Sequence, residues 1–118
     1  MSKKFSDGPI CSLDYAFRRI GGKYKGRILW YIYNEQNTLR YGELKRKVQN
    51  ITSKMLTQTL RELESDHLIH REVYKEVPPK VEYSLTGTGI ELIPFINHLR
   101  KWGDDQIEKE KMKTASHI

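Results

Sequence analysis

The chain has 118 residues, 37% of them hydrophobic, and a formal net charge of +6, which fits one domain with a modest core and favours an anionic partner such as nucleic acid. Its single cysteine, Cys11, excludes an intrachain disulfide and a cysteine-based zinc cluster. The N-terminus lacks the apolar segment of a signal peptide, and the longest apolar run, residues 28–33, is far too short to span a bilayer, so we expect a cytoplasmic protein with no membrane contact.

Two helices are predicted in the N-terminal third, after a mobile arm at residues 1–10. The first begins at Cys11 or Ser12 and runs through Ile20, with Leu13 and Phe17 on the face of Ile20. The second covers about residues 23–34. Its inward positions are Ile28, Leu29 and Ile32.

A helix-turn-helix is predicted in the middle of the chain. A third helix covers about residues 41–48, residues 49–51 form the turn, and Thr52 caps a fourth helix that ends near Asp66. In the fourth helix Leu56, Leu60 and Leu63 recur at helical spacing and are expected to face the core. The opposite face carries hydroxyls, an amide and cations at Ser53, Lys54, Thr57, Gln58 and Arg61.

Two strands joined by a stiff basic loop follow this helix. Residues 69–75 and 81–85 alternate in the manner of half-buried strands, and Pro78-Pro79 cannot donate ladder hydrogen bonds and therefore belongs in the loop. Lys75 and Lys80 flank the loop, where they could reach phosphates, although Glu76 dilutes their charge. A plain solvated turn is the alternative.

Residues 40–86 therefore have the layout of a winged helix-turn-helix. The expected fold is α+β and mostly helical, with a two- or three-stranded β-wing and flanking N- and C-terminal dimerisation helices. The major groove of DNA admits one α-helix, in which glutamine can read adenine and arginine can read guanine. An ordinary amphipathic surface helix is the alternative. The residues expected to contact double-stranded DNA are Ser53, Lys54, Thr57, Gln58, Arg61, Arg40, Lys75 and Lys80.

A last helix is predicted over about residues 87–110, capped by Thr86 and kinked at Pro94. Its apolar stripe is too wide for so small a core, and aromatic residues are enriched at the centres of interfaces. We therefore predict a homodimer, which would set two reading helices about 34 Å apart on the duplex; packing within one chain is the alternative. The predicted interface residues are Leu13, Phe17, Ile93, Ile96, Leu99 and Trp102.

Cys11 raises a second question. A cysteine at a helix N-terminus favours the reactive thiolate, which suggests a sensor of oxidants or electrophiles, whereas a small buried hydrophobe is the alternative.

His67 is expected to close the fourth helix in the left-handed conformation rather than to bind a metal with His70. The chain contains no catalytic grouping, metal-ligand set or cofactor motif that we can identify, so we expect a protein that is not an enzyme.

Several ordered motifs share one family pattern. They are residues 20–25, 39–44, 53–64, 71–86 and Trp102-Gly103. Together they resemble the HxlR family of bacterial transcription regulators, winged-helix proteins similar to the MarR group. The resemblance implies a homodimeric, cytoplasmic DNA-binding regulator, with a winged helix that binds only other proteins as the alternative.

The resemblance also bears on three single positions. Family members often carry a cysteine at the place of Cys11, and some use it to sense oxidants or electrophiles; any disulfide of this chain would have to be intermolecular. Tyr24 stands where the family usually has tryptophan, and His67 stands where it usually has glycine. Both look like packing or capping substitutions that leave the DNA-binding face unchanged.

Overall fold

A computed structural model describes residues 10–116 of the chain, so the arm predicted at residues 1–10 lies outside the described residues except for Ile10. Within this range the chain forms six helices and three strands, and the predicted winged helix-turn-helix architecture is confirmed. None of these helices is long and apolar enough to cross a membrane. In chain order the elements are α1 (Ser12–Ile20), α2 (Lys25–Asn34), β1 (Leu39–Arg40), α3 (Tyr41–Lys47), α4 (Ser53–Ser65), β2 (Ile69–Tyr74), β3 (Lys80–Leu85), α5 (Gly87–Glu91) and α6 (Ile93–Ser116).

The wing is a three-stranded antiparallel sheet in the order β1-β3-β2. The strands β2 and β3 pair along their whole length, from Ile69 opposite Leu85 to Tyr74 opposite Lys80. The short strand β1 pairs with the other edge of β3, and Asn37 extends this edge because its side-chain Oδ1 accepts a hydrogen bond from the backbone N–H of Leu85 at 2.9 Å. The sheet therefore has the third strand that the sequence pattern left open.

One core joins the helices to the base of the wing. Its members include the predicted inward residues of α2 and α4, together with residues from α3 and its C-terminal end, the sheet and α6. They are Ile28, Leu29, Ile32, Leu44, Val48, Leu56, Leu60, Leu63, Ile69, Tyr83, Leu85, Ile93 and Ile96. The prediction of a half-buried β2 is wrong beyond its first residue, because this edge strand leaves the core and residues 70–74 are exposed.

The chain between α4 and α5 is held by a compact set of hydrogen bonds. His67 has φ of 60°, which confirms the predicted left-handed end of α4. The hydroxyl of Thr86 donates to the carbonyl of His67 at 2.7 Å and accepts from the N–H of Gly89 at 3.0 Å, so Thr86 caps the following helix as predicted. A Cβ atom at Gly89 would lie only 2.2 Å from the carbonyl oxygen of Leu68, so this close approach requires glycine.

The prediction of one kinked helix over residues 87–110 is wrong. The helix breaks at Leu92, which separates α5 from α6, and α6 continues to Ser116. Pro94 is the second residue of α6, where a missing N–H removes no helical hydrogen bond. A break before the proline thus replaces the predicted kink at Pro94.

Candidate nucleic-acid interface

Helix α4 turns a polar face away from the core. The Oγ1 of Thr52 accepts a hydrogen bond from the N–H of Met55 at 3.1 Å, which satisfies one free amide of the first turn. Leu56, Leu60 and Leu63 are buried and fix the rotation of the helix about its axis. The exposed residues on the opposite side, which we call the α4 polar face, are Ser53, Lys54, Gln58 and Arg61.

Thr57 differs from the other predicted groove contacts because it is half-buried. Its Oγ1 lies 3.2 Å from the hydroxyl oxygen of Tyr41 in α3, and the Tyr41 hydroxyl also donates to the carbonyl of Ser53 at 3.2 Å. Thr57 therefore lies at the edge of the α4 polar face, where its hydroxyl belongs to the contact between α3 and α4, and its contact with DNA stays a prediction.

Gln58 belongs to a small polar network, which we call the α4 network and which comprises Gln58, Glu62 and Lys25. The Nε2 of Gln58 donates to Oε2 of Glu62 at 3.2 Å, and Nζ of Lys25 lies 3.1 Å from Oε1 of the same carboxylate. The Nζ of Lys25 also donates to the carbonyl of Arg18 in α1 at 3.1 Å. The hydrogen bonds from Gln58 and then Lys25 hold the pKa of Glu62 below its ordinary value.

The sequence analysis did not find this network. Gln58 and Glu62 are four residues apart on one helix, a spacing at which side chains meet, and this was the one signal available. Lys25 lies far away in the chain, and its neighbours in the sequence give no sign of a partner. Only the tertiary fold, which buries residues of α2 and α4 in one core, brings it to Glu62.

The two lysines of the wing differ in their surroundings. Lys75 is exposed and forms no ion pair within residues 10–116. Nζ of Lys80 lies 3.8 Å from Glu76, 3.7 Å from Glu82 and 4.5 Å from the centroid of the Tyr74 ring. The charge of Glu82 also raises the pKa of Tyr74. Both lysines were expected to reach DNA, but the charge of Lys80 is already compensated by two carboxylates, whereas that of Lys75 is not.

Arg40 lies at the junction of β1 and α3. It is exposed and is the residue that precedes the first turn of α3, where its backbone N–H donates to Oε1 of Glu43 at 2.8 Å. The guanidinium has no carboxylate partner within the described range. It remains available for an anion at this end of the helix-turn-helix.

The apolar residues of α1 and α6 fall into two groups. Leu13, Phe17, Leu99 and Trp102 are between 56% and 67% exposed. Ile93 and Ile96 are only 6% and 8% exposed and belong to the core of their own chain, so their assignment to a dimer interface is wrong. The exposed group, to which Phe95 at 65% is added, is called the α1/α6 apolar surface below.

Cys11 is the residue that precedes α1, and its side chain is exposed. Its carbonyl accepts from the N–H of Tyr15 at 3.0 Å, while its thiol makes no capping hydrogen bond. The thiol is therefore accessible to solvent in the single chain, and the sensing role of Cys11 stays a prediction.

A helix-turn-helix whose second helix turns a polar face outward beside a three-stranded wing defines the class of winged helix-turn-helix transcription regulators. Residues 19–111 match the HxlR-like helix-turn-helix family, and the chain belongs to this family. The HTH-type transcriptional regulator YkvN of Bacillus subtilis is 47% identical over 108 residues, which cover 92% of this chain and 86% of YkvN.

Solved structures of a redox regulator, HypR, have the same fold. Its reduced form superposes with a TM-score of 0.79 at 40% identity, covering 86% of this chain and 98% of HypR. Its oxidised form gives a TM-score of 0.76 at 43% identity, covering 80% of this chain and 96% of HypR. This chain is thus similar to a regulator whose structure is known in two redox states.

Proposed function

We propose that this regulator binds a near-palindromic operator in double-stranded DNA as a homodimer, with helix α4 of each subunit in the major groove. The observation that carries the proposal is the α4 polar face, which offers two cations and an amide on a helix held by three buried leucines. Gln58 and Arg61 are the groups able to read base edges, and Lys54 and Ser53 suit phosphate or base contacts near the helix N-terminus. Arg40 and Lys75 supply flanking backbone contacts.

The proposal is tested by selecting bound duplexes from a random pool and measuring affinity for the selected operator. Gln58→Ala and Arg61→Ala should each weaken operator binding about 5- to 100-fold and relax the preference at separate base pairs. Lys111→Ala, which removes a cation from an exposed site on the distant part of α6, serves as the charge control and should have little effect. The assignment of α4 fails if both α4 variants bind and discriminate as the parent does.

A winged helix that binds only other proteins is the rival reading, and salt separates the two. Binding to DNA releases counterions, so the affinity should fall steeply as salt rises from about 50 to 200 mM. A flat salt response, or no duplex binding at low salt, would favour the rival.

The homodimer is proposed from the α1/α6 apolar surface. Five large apolar side chains exposed on two helices form the kind of surface that a partner normally covers. Trp102→Ala should raise the dimer dissociation constant at least about tenfold in sedimentation equilibrium, because aromatic anchors dominate such interfaces. Val77→Ala, at a fully exposed residue of the wing loop, is the control. A parent protein that sediments as a monomer at micromolar concentration contradicts the proposal.

Cys11 is proposed as the site of redox or electrophile response, on the ground of its exposure and of the likeness to HypR. Its thiolate would attack a low-molecular-weight disulfide, forming a mixed disulfide and releasing the other half as a thiolate. Disulfide treatment should then change operator affinity, and the change should reverse with a reducing thiol. In Cys11→Ser the affinity should not respond; a full response in that variant removes Cys11 from the mechanism.

A further inference from the structure

The α4 network links the amide of Gln58 to two other helices, and this link rests on the proposed role of Gln58 in reading DNA. Glu62 contacts Gln58 on one side and Lys25 on the other, and Lys25 also binds the carbonyl of Arg18 in α1. We propose that Glu62 and Lys25 are positioning residues that determine base preference by fixing the orientation of the Gln58 amide. Neither residue needs to touch DNA for this effect.

The chemistry of the carboxylate determines which way the amide points. An ionised carboxylate only accepts hydrogen bonds, so the NH₂ end of Gln58 must face Glu62. One N–H of the amide is then used, and the other N–H and Oε1 remain for DNA. Adenine presents one donor and one acceptor in the major groove, which complement these two free positions. Without Glu62 the two ends of the amide could exchange places freely, and Gln58 would lose this preference for adenine.

Lys25 supports Glu62 from the side opposite Gln58. Its side chain is only 17% exposed, so it is held among neighbouring groups rather than moving in solvent. Its charge lies 3.1 Å from Oε1 of Glu62 and compensates a carboxylate that would otherwise repel nearby phosphates. The lowered pKa of Glu62 agrees with two donors that stabilise the ionised form.

The hydrogen bond from Lys25 to Arg18 gives the network a further consequence. Arg18 belongs to the last turn of α1, the helix that begins after Cys11. Nζ of Lys25 is therefore held between the carbonyl of Arg18 in α1 and the carboxylate of Glu62 in α4, so its position depends on both helices.

A double-mutant cycle on base preference tests the role of Glu62. In selected operators, Glu62→Ala should lower the discrimination for adenine at the Gln58 position about 1.5- to twofold, as expected for an exposed pair four residues apart. In the Gln58→Ala background the same change should have no further effect, because Glu62 acts through Gln58. Glu64→Ala is the matched control: it removes the same charge from α4 at an exposed residue whose side chain forms no hydrogen bond or ion pair within the described range.

The outcomes separate this proposal from the proposed function. If Gln58→Ala alters base preference but Glu62→Ala resembles Glu64→Ala, the positioning role is wrong and the DNA-reading role stands. An effect of Glu62→Ala that persists in the Gln58→Ala background also overturns it. If the parent protein shows no base preference at all, the proposed function itself fails.

Variants of Lys25 supply the second arm of the test. Lys25→Met keeps much of the side-chain bulk but removes the charge. Like Glu62→Ala, it should lower the discrimination for adenine at the Gln58 position. Lys25→Arg keeps a donor for Glu62 and should restore at least half of the discrimination that Lys25→Met loses. Circular dichroism and thermal melting of each variant establish that the fold is intact. Equal discrimination in Lys25→Met and the parent protein removes Lys25 from the network.

Discussion

The hydroxyl oxygen of Tyr41 lies 3.2 Å from that of Thr57, and this contact joins the two helices of the helix-turn-helix. The same hydroxyl donates to the carbonyl of Ser53 in the first turn of α4. That carbonyl therefore gains a partner from α3 at the end of α4 where base contacts are proposed. The angle between α3 and α4 is held by these polar contacts as well as by the leucines beneath them.

Removal of this hydroxyl should loosen α4. Tyr41→Phe is expected to lower the free energy of unfolding by about 1 kcal/mol, because a half-buried group loses its hydrogen bonds. Urea denaturation followed by circular dichroism measures the change. Tyr33→Phe removes the same atom from an exposed tyrosine whose hydroxyl forms no hydrogen bond within residues 10–116, and it should leave stability unchanged. Equal stabilities of the two variants would contradict the proposed tie.

A second prediction concerns the contact between α5 and the turn after α4. Gly89→Ala should lower the free energy of unfolding by about 2 kcal/mol or more, because the new methyl group would meet the backbone of Leu68. Gly87→Ala is the matched control, since its Cβ would meet nothing within 4 Å. That variant should be neutral or slightly stabilising, as alanine favours a helix over glycine. Thermal melting compares the two, and similar melting temperatures are the contrary result.

A third prediction distinguishes the two wing lysines. Lys75→Ala should weaken operator binding and lower the slope of log affinity against log salt by about one per subunit, as the loss of a phosphate contact does. Lys80→Ala should change that slope much less, because Glu76 and Glu82 already compensate its charge. Binding isotherms over a salt series supply both slopes. Equal losses from the two substitutions would contradict the ion pairing of Lys80.

A fourth prediction follows from the lowered pKa of Glu62. The hydrogen bond from Gln58 is its largest cause, so Gln58→Ala should raise the pKa of Glu62 toward its ordinary value. Carboxyl-carbon NMR titration measures it, with Lys54→Ala as the control on the same helix. A pKa of Glu62 unchanged by Gln58→Ala would contradict this cause.

The same shift predicts a small dependence of stability on pH. The pKa of Glu62 is lower in the folded than in the unfolded protein. Its contribution to the free energy of unfolding is therefore complete above the unfolded-state pKa and is lost as the pH falls through the folded-state pKa. Glu62→Gln should therefore show a slightly shallower loss of stability in acid than the parent protein. The effect is small because the carboxylate is 46% exposed and solvent screens it.

Local patterns in the sequence were enough to predict most elements. The spacing of Leu56, Leu60 and Leu63 and the cap at Thr52 indicated the position and rotation of α4, and the structure confirms both. His67 was expected to close that helix and does so. Such features depend on neighbours within one or two helical turns, so the residues that produce them are close together in the chain.

Features that depend on distant parts of the chain could not be predicted in this way. Nothing near Lys25 indicates that it meets Glu62, and the pattern of α6 does not show where the core ends. The sequence therefore assigned Ile93 and Ile96 to the same apolar stripe as Leu99 and Trp102, although the first pair is buried and the second pair is exposed.

The sequence by itself thus determined the order of the elements, the winged-helix class and the outward residues of α4, because helical and strand periodicities are local. Only the tertiary structure decided which cations are compensated, which apolar residues remain exposed, and which side chains hold Gln58. These properties depend on the shared core to which α2, α4 and α6 contribute and on the pairing of β2 with β3. Such packing brings together residues that are distant in the chain, and the type of a residue does not indicate which distant residue it will contact.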